Sequence, residues 1–167
     1  MDTTYPLQLI YLMLPCYAAN MAPPFVKYWR GWNRPIDRAR LGSHKTIAGF
    51  AFGVIAALLV AFFQSRAAWP ATLWLRAEWL YLGLVQGLGA MTGDAVKSYF
   101  KRRMGIAPGE RWIPADQLDF VAGALLPTAW LVSLSWIDVV VILAMTFPAD
   151  IAVNRIAFRV GIRNSPW

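Results

Sequence analysis

Gly93-Asp94-Ala95-Val96-Lys97-Ser98 runs directly into Tyr99-Phe100-Lys101-Arg102-Arg103. On a helix, Asp94, Lys97, Ser98, Lys101 and Arg102 fall at i, i+3, i+4, i+7 and i+8 and share one face. Tyr99, Phe100 and Arg103 point elsewhere. One carboxylate followed by a stripe of cations suits a metal-bound polyphosphate: the carboxylate holds Mg²⁺ and the cations take phosphate oxygens. The competing reading is a solvated basic face that only sets membrane topology. Asp94 closes an apolar stretch, where a carboxylate is costly and functional by default. Its structural alternative is an ion pair to Lys97 or Lys101.

Two further polar clusters accompany this one. Pro114-Ala115-Asp116-Gln117-Leu118-Asp119 opens another apolar stretch, and its two acids are three residues apart, so both can share a helical face. Asp116 as a helix cap and Asp119 as a dipole complement is one reading. The other joins Asp94, Asp116 and Asp119 around one or two Mg²⁺ ions that bridge nucleotide and lipid phosphates. In the remaining cluster, Asn20 breaks an apolar span beside Pro23 and Pro24, and irregular backbone at that depth is tolerated only against protein or a cavity. Asn20 is a ligand contact or a structural hydrogen-bonding group. Lys45 and Thr46 stand at a helix start, where free N–H groups favour an anion. His44 is the only histidine and has no partners for metal binding. The segment lacks the upstream glycine of a Walker A loop, and neither GxSxG nor HExxH occurs.

The elements that must hold these groups are membrane helices. The chain has 167 residues, room for one domain over 1–167, and 58% are hydrophobic with nine Trp; mean hydropathy is +0.44. That exceeds the apolar content of ordinary soluble domains, and Trp gathers at bilayer interfaces. Apolar stretches run over about 5–26, 46–63, 79–92 (starting as early as 73), 120–134 and 137–153. The first should kink at Pro15 and beyond, and Gly83–Gly87 has the GxxxG spacing of close helix contact. Several stretches are shorter than about 20 residues, so the helices should continue past the hydrocarbon at the polar end. Fourteen of the sixteen basic residues fall between stretches one and two, between three and four, and after five; only Arg66 and Arg76 lie on the other side. The positive-inside rule then places the N-terminus outside and the C-terminus in the cytosol. A net charge of +7 without a nucleic-acid reader motif excludes nucleic acid as partner. Cys16 is the only cysteine and reads as a small buried apolar residue. No basic residue precedes Lys27, so a cleavable signal peptide is not expected.

These residues carry a resemblance. Leu14-Pro15 with Ala19-Asn20-Met21-Ala22-Pro23-Pro24, then Pro35-Ile36-Asp37 with Leu41-Gly42-Ser43-His44-Lys45-Thr46, then Gly93-Asp94, Lys97-Ser98, Lys101-Arg102-Arg103, Gly105-Ile106 and Asp116-Gln117-Leu118-Asp119-Phe120 resemble, in order, three motifs of the CDP-archaeol synthase family. The third also resembles the signature of the wider CDP-diacylglycerol synthase group. The chain departs from that group's Lys-Asp at Ala107-Pro108, and from the archaeal pattern at Ser43, at Ile47-Ala48 and in a shorter stretch between Asp37 and Leu41. These departures bear on the lipid more than on the chemistry, and leave room for a bacterial member acting on another lipid phosphate.

The resemblance implies an all-α integral membrane protein with about five transmembrane helices and cytosolic polar loops, multi-pass in the plasma membrane. It implies a CTP-dependent, Mg²⁺-using cytidylyltransferase that moves CMP to bis-geranylgeranyl glycerol phosphate or a related lipid phosphate, giving a CDP-lipid and pyrophosphate. Asp94, Asp119 and Asp116 are then the catalytic and metal residues, with Lys101 in catalysis. Asn20, His44, Lys45, Lys97, Ser98 and Arg102 are the substrate-binding residues. CTP, a lipid phosphate and membrane lipids are the partners, and homo-oligomerisation is left open. The rival classes are a small transporter or flippase, and a non-catalytic membrane assembly protein. A transporter is disfavoured because no internal repeat is found. An assembly role would not explain carboxylates aligned with a cation stripe.

Overall fold

The structure, a computed structural model, describes residues 4–67, 69–70, 72–107, 110–163 and 165. Its helices are α1 (Tyr5–Met21), α2 (Ile47–Ala67), α3 (Trp79–Arg103), α4 (Ala115–Leu131) and α5 (Trp136–Arg159), with 3₁₀ turns at Pro23–Tyr28 and Arg76–Glu78. Pro108, one of the departures noted above, lies outside the described residues.

Polar and apolar groups are distributed as in a bilayer protein. Trp130 and Trp136 are 90% and 76% exposed, whereas Gln86, Thr128, Thr146 and Asn154 are buried. An apolar rim around hydrogen-bonded polar groups is stable only where the outside is hydrocarbon. Three helical segments are long and apolar enough to cross a membrane: Tyr5–Tyr28, Ile47–Ala67 and Trp136–Arg159. The other two helices fall short of that measure for plain reasons. α3 carries charges over its last turns, and α4 is 17 residues long. The expected early start near Leu73 does not form, since helix begins with the 3₁₀ turn at Arg76. At the polar end α3 continues past Thr92 to Arg103, and α4 starts at Ala115 rather than Phe120.

α3 is the hub, packed against α1, α2 and α4; α5 packs on α4 and α1. The Gly83–Gly87 pair works as its spacing indicates, because a Cβ at Gly83 would stand 2.9 Å from Leu58 Cα and one at Gly87 3.1 Å from Val54 Cα on α2. A second pair on the opposite face, Gly89 and Gly93, meets Gly123 of α4, where a Cβ at Gly93 would collide with the Asp119 carbonyl oxygen. Backbone-to-backbone approach there brings the acids of α4 to the charged end of α3.

The proline inside α1 has a specific repair. Pro15 has no N–H and its ring crowds the preceding turn. The orphaned Tyr11 carbonyl accepts from Gln64 Nε2 at 2.5 Å. One residue on, the Gln86 amide bonds to both Cys16 and Leu12 in the same turn. Its Oε1 accepts from the Cys16 N–H at 3.0 Å and its Nε2 donates to the Leu12 carbonyl at 3.0 Å. Cys16 itself is fully buried. Supported this way, α1 delivers Asn20 to the polar end of the bundle.

Candidate active site

Lys97 Nζ stands among three carboxylates: 3.1 Å from Asp94 Oδ1, 3.3 Å from Asp116 Oδ1 and 2.9 Å from Asp119 Oδ2. Each partner arrives by a different route. Asp94 precedes Lys97 by one helical turn. Asp116 and Asp119 come from the first turns of α4, held close by the Gly93–Gly123 contact. Asp94 also pairs with Lys45, and Lys101 Nζ sits 3.0 Å from both oxygens of Asp116 and 2.5 Å from the Glu110 carbonyl. Asp119 Oδ2 is buried and has no hydrogen bond beyond the Lys97 ion pair.

Lys45 reaches Asp94 because the segment before α2 is folded tightly. Ile36 N–H donates to the Lys45 carbonyl at 2.8 Å and Ile47 N–H to the Arg34 carbonyl at 3.0 Å, closing a short antiparallel bridge between Pro35 and Thr46. Asp37 shapes the turn by accepting from Ala39 and Arg40 N–H at 3.0 and 2.9 Å. Thr46 Oγ1 accepts from Gly49 N–H at 3.1 Å, so part of the anion-binding capacity expected at this helix start is already satisfied.

Asn20, His44, Lys45, Asp94, Lys97, Ser98, Lys101, Arg102 and Asp116 line one polar cavity of about 630 Å³. The stripe inferred for α3 therefore faces a single space. Several members are already engaged. Ser98 Oγ donates to the Asp94 carbonyl of its own helix at 2.8 Å, and Arg102 Nη1 to the Ile106 carbonyl at 2.5 Å. Asp116 does not cap α4; its Oδ2 accepts from the Trp112 N–H at 2.6 Å, tying down the loop before the helix.

A second, apolar cavity of about 840 Å³ runs between α3 and α4 past Leu88, Val96, Phe100, Leu118 and Leu126, and it ends at Lys97 and Asp119. Lys97 thus borders both spaces.

Three residues of the polar cavity escape a reading by motif. Asp150 Oδ1 accepts from Asn20 Nδ2 at 3.1 Å and its Oδ2 from Asn154 Nδ2 at 2.8 Å. Arg163 Nη2 donates to the Asn20 backbone carbonyl at 3.5 Å. Burial lowers the Arg163 pKa, while the charges of Asp150, Asp94 and Asp119 act to raise it. The signal for Asp150 was present in the sequence: a carboxylate inside an apolar span, with Asn154 one turn later.

The residue set suits a divalent ion. Carboxylate oxygens are the ligands Mg²⁺ prefers, and Mg²⁺ is usually held by one or two of them plus substrate phosphates rather than by an all-protein cage. Among the described residues no three acidic, His or Cys side chains form a ready cage. The buried Asp119 oxygen facing only an ammonium is a donor that a divalent ion could use.

An all-helical membrane bundle with carboxylates and lysines gathered at its polar end defines the class, an intramembrane enzyme. A family model described as CarS-like, CDP-archaeol synthase, matches residues 3–167, and the chain belongs to that family. It is 36% identical over 170 residues to the CDP-archaeol synthase of Methanospirillum hungatei, covering 93% of this chain and 100% of that one. To the CDP-archaeol synthase of Sulfurisphaera tokodaii it is 34% identical over 176 residues, covering 98% and 97%. A solved structure described as an intramembrane enzyme for archaeal membrane lipids biosynthesis superposes with a TM-score of 0.74 at 30% identity, over 89% of this chain and 93% of that one.

Proposed function

We propose that the chain transfers CMP from CTP to bis-geranylgeranyl glycerol phosphate or a closely related lipid phosphate, releasing pyrophosphate and leaving a CDP-lipid. The observation that carries this reading is the position of Lys97 where the polar cavity meets the apolar one. A nucleotide comes from water and a lipid phosphate from the headgroup level, so their phosphates must meet at such a junction. The apolar groove between α3 and α4 takes a hydrocarbon tail and leaves its phosphate beside Lys97.

Asp94, Asp116 and Asp119 would hold Mg²⁺, which when bound neutralises phosphate charge and aligns the reacting oxygens. Lys97 exchanges its carboxylate partners for phosphate oxygens as substrates enter. Arg102 lines the same wall and adds donors. Lys101 fixes Asp116 and the loop before α4 rather than meeting substrate directly. The attacking lipid phosphate is already an anion, so the site needs positioning and charge stabilisation more than a general base.

The placement of basic residues supports an N-terminus outside and a C-terminus and active site in the cytosol of a plasma-membrane protein. The test is incubation of purified protein with labelled CTP, Mg²⁺ and a panel of lipid phosphates. Label should pass to the lipid phase with one pyrophosphate per transfer. Absence of transfer to every lipid phosphate would exclude the reading.

A further inference from the structure

We infer that segment 28–40, between the first two helices, is a seat for anionic phospholipid of the surrounding leaflet, on the opposite side of α3 from the groove proposed for the lipid substrate.

The make-up of this segment sets it apart. Tyr28, Trp29, Trp32 and Ile36 alternate with Arg30, Arg34, Arg38 and Arg40, and Asp37 is its single acid. The four apolar side chains are 64, 51, 59 and 43% exposed, and the four arginines are exposed with them. Large apolar groups gathered in one exposed segment mark a contact surface. Among the described residues, Arg40 is the one of these arginines that pairs with an acid, Asp37 at 3.8 Å. Arg34 stands 5.9 Å from the Trp32 ring instead.

Packing fixes the height of the segment. Its middle is tied to the start of α2 by the bridge between Pro35 and Thr46. The Trp29 ring reaches along the outside of α2 and meets Phe52 edge-on, with centroids 5.7 Å apart. Phe52 lies five residues past Ile47, where α2 begins, or about 8 Å along the axis. Ile55 and Leu59 continue its face at i+3 and i+7 and are 51% and 52% exposed. That face is the hydrocarbon side of α2, so Trp29 stands where the apolar wall begins. The chain crosses the indole at Gly31, where a Cβ would come within 2.6 Å of the ring.

A tryptophan at that height belongs to the bilayer interface. The arginines that follow it then lie among the headgroups. Cations there attract an anionic leaflet, and salt screens the attraction. Guanidinium forks also take phosphate oxygens in pairs. The place is separate from the substrate groove, because α2 packs on α3 through Gly83 and Gly87 whereas the groove lies between α3 and α4. The rival reading is that these arginines are solvated and only set topology.

The test titrates the full chain in neutral detergent and reads binding as a shift in melting temperature. The probes are short-chain phosphatidylglycerol, phosphatidylcholine with the same tails, and the glycerophosphoglycerol headgroup alone. Phosphatidylglycerol has no phosphomonoester, so it cannot stand in for the lipid substrate. At low salt it should half-saturate at a concentration about tenfold or more below phosphatidylcholine. The preference should fade as salt is raised, and the headgroup alone should give no shift over the same range. Arg30→Gln, Arg34→Gln and Arg38→Gln combined should remove the preference. Arg103→Gln, Arg155→Gln and Arg159→Gln combined take the same charge from exposed sites at the ends of α3 and α5 and should retain it. Arg30→Gln with Arg38→Gln replaces the first triple if that variant is unstable, and should reduce the preference at least threefold. Equal affinity for the two lipids would overturn the assignment. So would a preference that survives the substitutions in segment 28–40, or one lost equally in both triples. A headgroup that binds as well as the lipid would make the segment a free-anion site and overturn the leaflet as its occupant. Transfer is measured in none of these arms, so a negative result leaves the CTP reading standing.

Discussion

Lys97 Nζ lies 2.9 Å from Asp119 Oδ2, and that oxygen has no hydrogen bond from any other described group. The two residues come from different helices and meet where the polar and apolar cavities join. An ammonium surrounded by three carboxylates is a cation already standing where a divalent ion is proposed. Metal and substrate entry must therefore move Lys97, and the nucleotide-free protein should bind metal weakly.

Replacing Lys97 with Met removes that competitor while keeping the stem's volume. Mn²⁺ binding, followed by its paramagnetic resonance without nucleotide, should tighten about tenfold or more, equivalent to about 1.4 kcal/mol. Transfer should fall at least 100-fold, because the same lysine is needed for phosphate. Unchanged or weaker Mn²⁺ binding would mean that the ammonium and the ion do not share a site.

Lys101 and Arg102 separate on the structure although the sequence places them side by side on one stripe. Lys101 is 7% exposed and ties the Glu110 carbonyl and Asp116 together. Lys101→Ala should lower the melting temperature as well as the rate, since it unties the Glu110 carbonyl from Asp116 and leaves Asp116 with Lys97 and the Trp112 N–H alone. Arg102→Ala should raise KM for CTP or lipid phosphate and leave melting nearly unchanged. Each lost charge-assisted bond to phosphate is worth about 1.5–3 kcal/mol. The reverse pattern in the two variants would exchange their roles.

Asp94→Asn and Asp119→Asn should each abolish transfer in protein that still folds, and both should raise the Mg²⁺ requirement of any residual rate. Asn keeps the size of Asp but not its charge, and charged oxygens are what Mg²⁺ prefers. Asp116→Asn should combine a milder rate loss with instability, because Asp116 holds Trp112 N–H and Lys101. Pyrophosphate release against Mg²⁺ concentration reads all three. Near-normal rates in both Asp94→Asn and Asp119→Asn would remove the carboxylates from the metal site.

The stripe on α3 and the acids of α4 were legible because helical periodicity alone sets their faces. Asp150 and Arg163 were not legible in the same way. Asp150 signals itself as a carboxylate in a strongly apolar stretch, but its pairing with Asn20 is set by packing between helices, and Arg163 reads as one more topology-setting cation until Gly161, at φ +74, turns the chain. Likewise Gly83–Gly87 was visible as a packing motif, while Gly89–Gly93 gains its meaning from Gly123, far away in sequence. The unexpected pairing of Lys45 with Asp94 depends on a loop whose fold comes from one bridge and one Asp turn, for which helical periodicity gives no sign.

Membrane orientation can be checked with the native cysteine left in place, since Cys16 is fully buried. Cysteines at Thr4 and Ser165 should label with an impermeant maleimide from opposite faces, Thr4 from outside. Labelling of both from one face would overturn the odd number of crossings.

The last prediction concerns the repair at Pro15. Gln86 is fully buried and satisfies both the Cys16 N–H and the Leu12 carbonyl. Gln86→Leu keeps a similar volume but leaves two backbone groups bare inside the bundle, at about 1–3 kcal/mol each. The melting temperature in detergent should fall clearly, and transfer should weaken because α1 no longer holds Asn20 in register. Pro15→Ala restores the N–H that can return to Tyr11 and lets the turn re-form its own ladder, so Cys16 and Leu12 can pair with each other again. The double variant should recover much of the stability that Gln86→Leu loses, a positive coupling that independent sites do not give. Simple additivity of the two changes in melting free energy would show that Gln86 contributes packing alone and that the proline is not the reason for its amide.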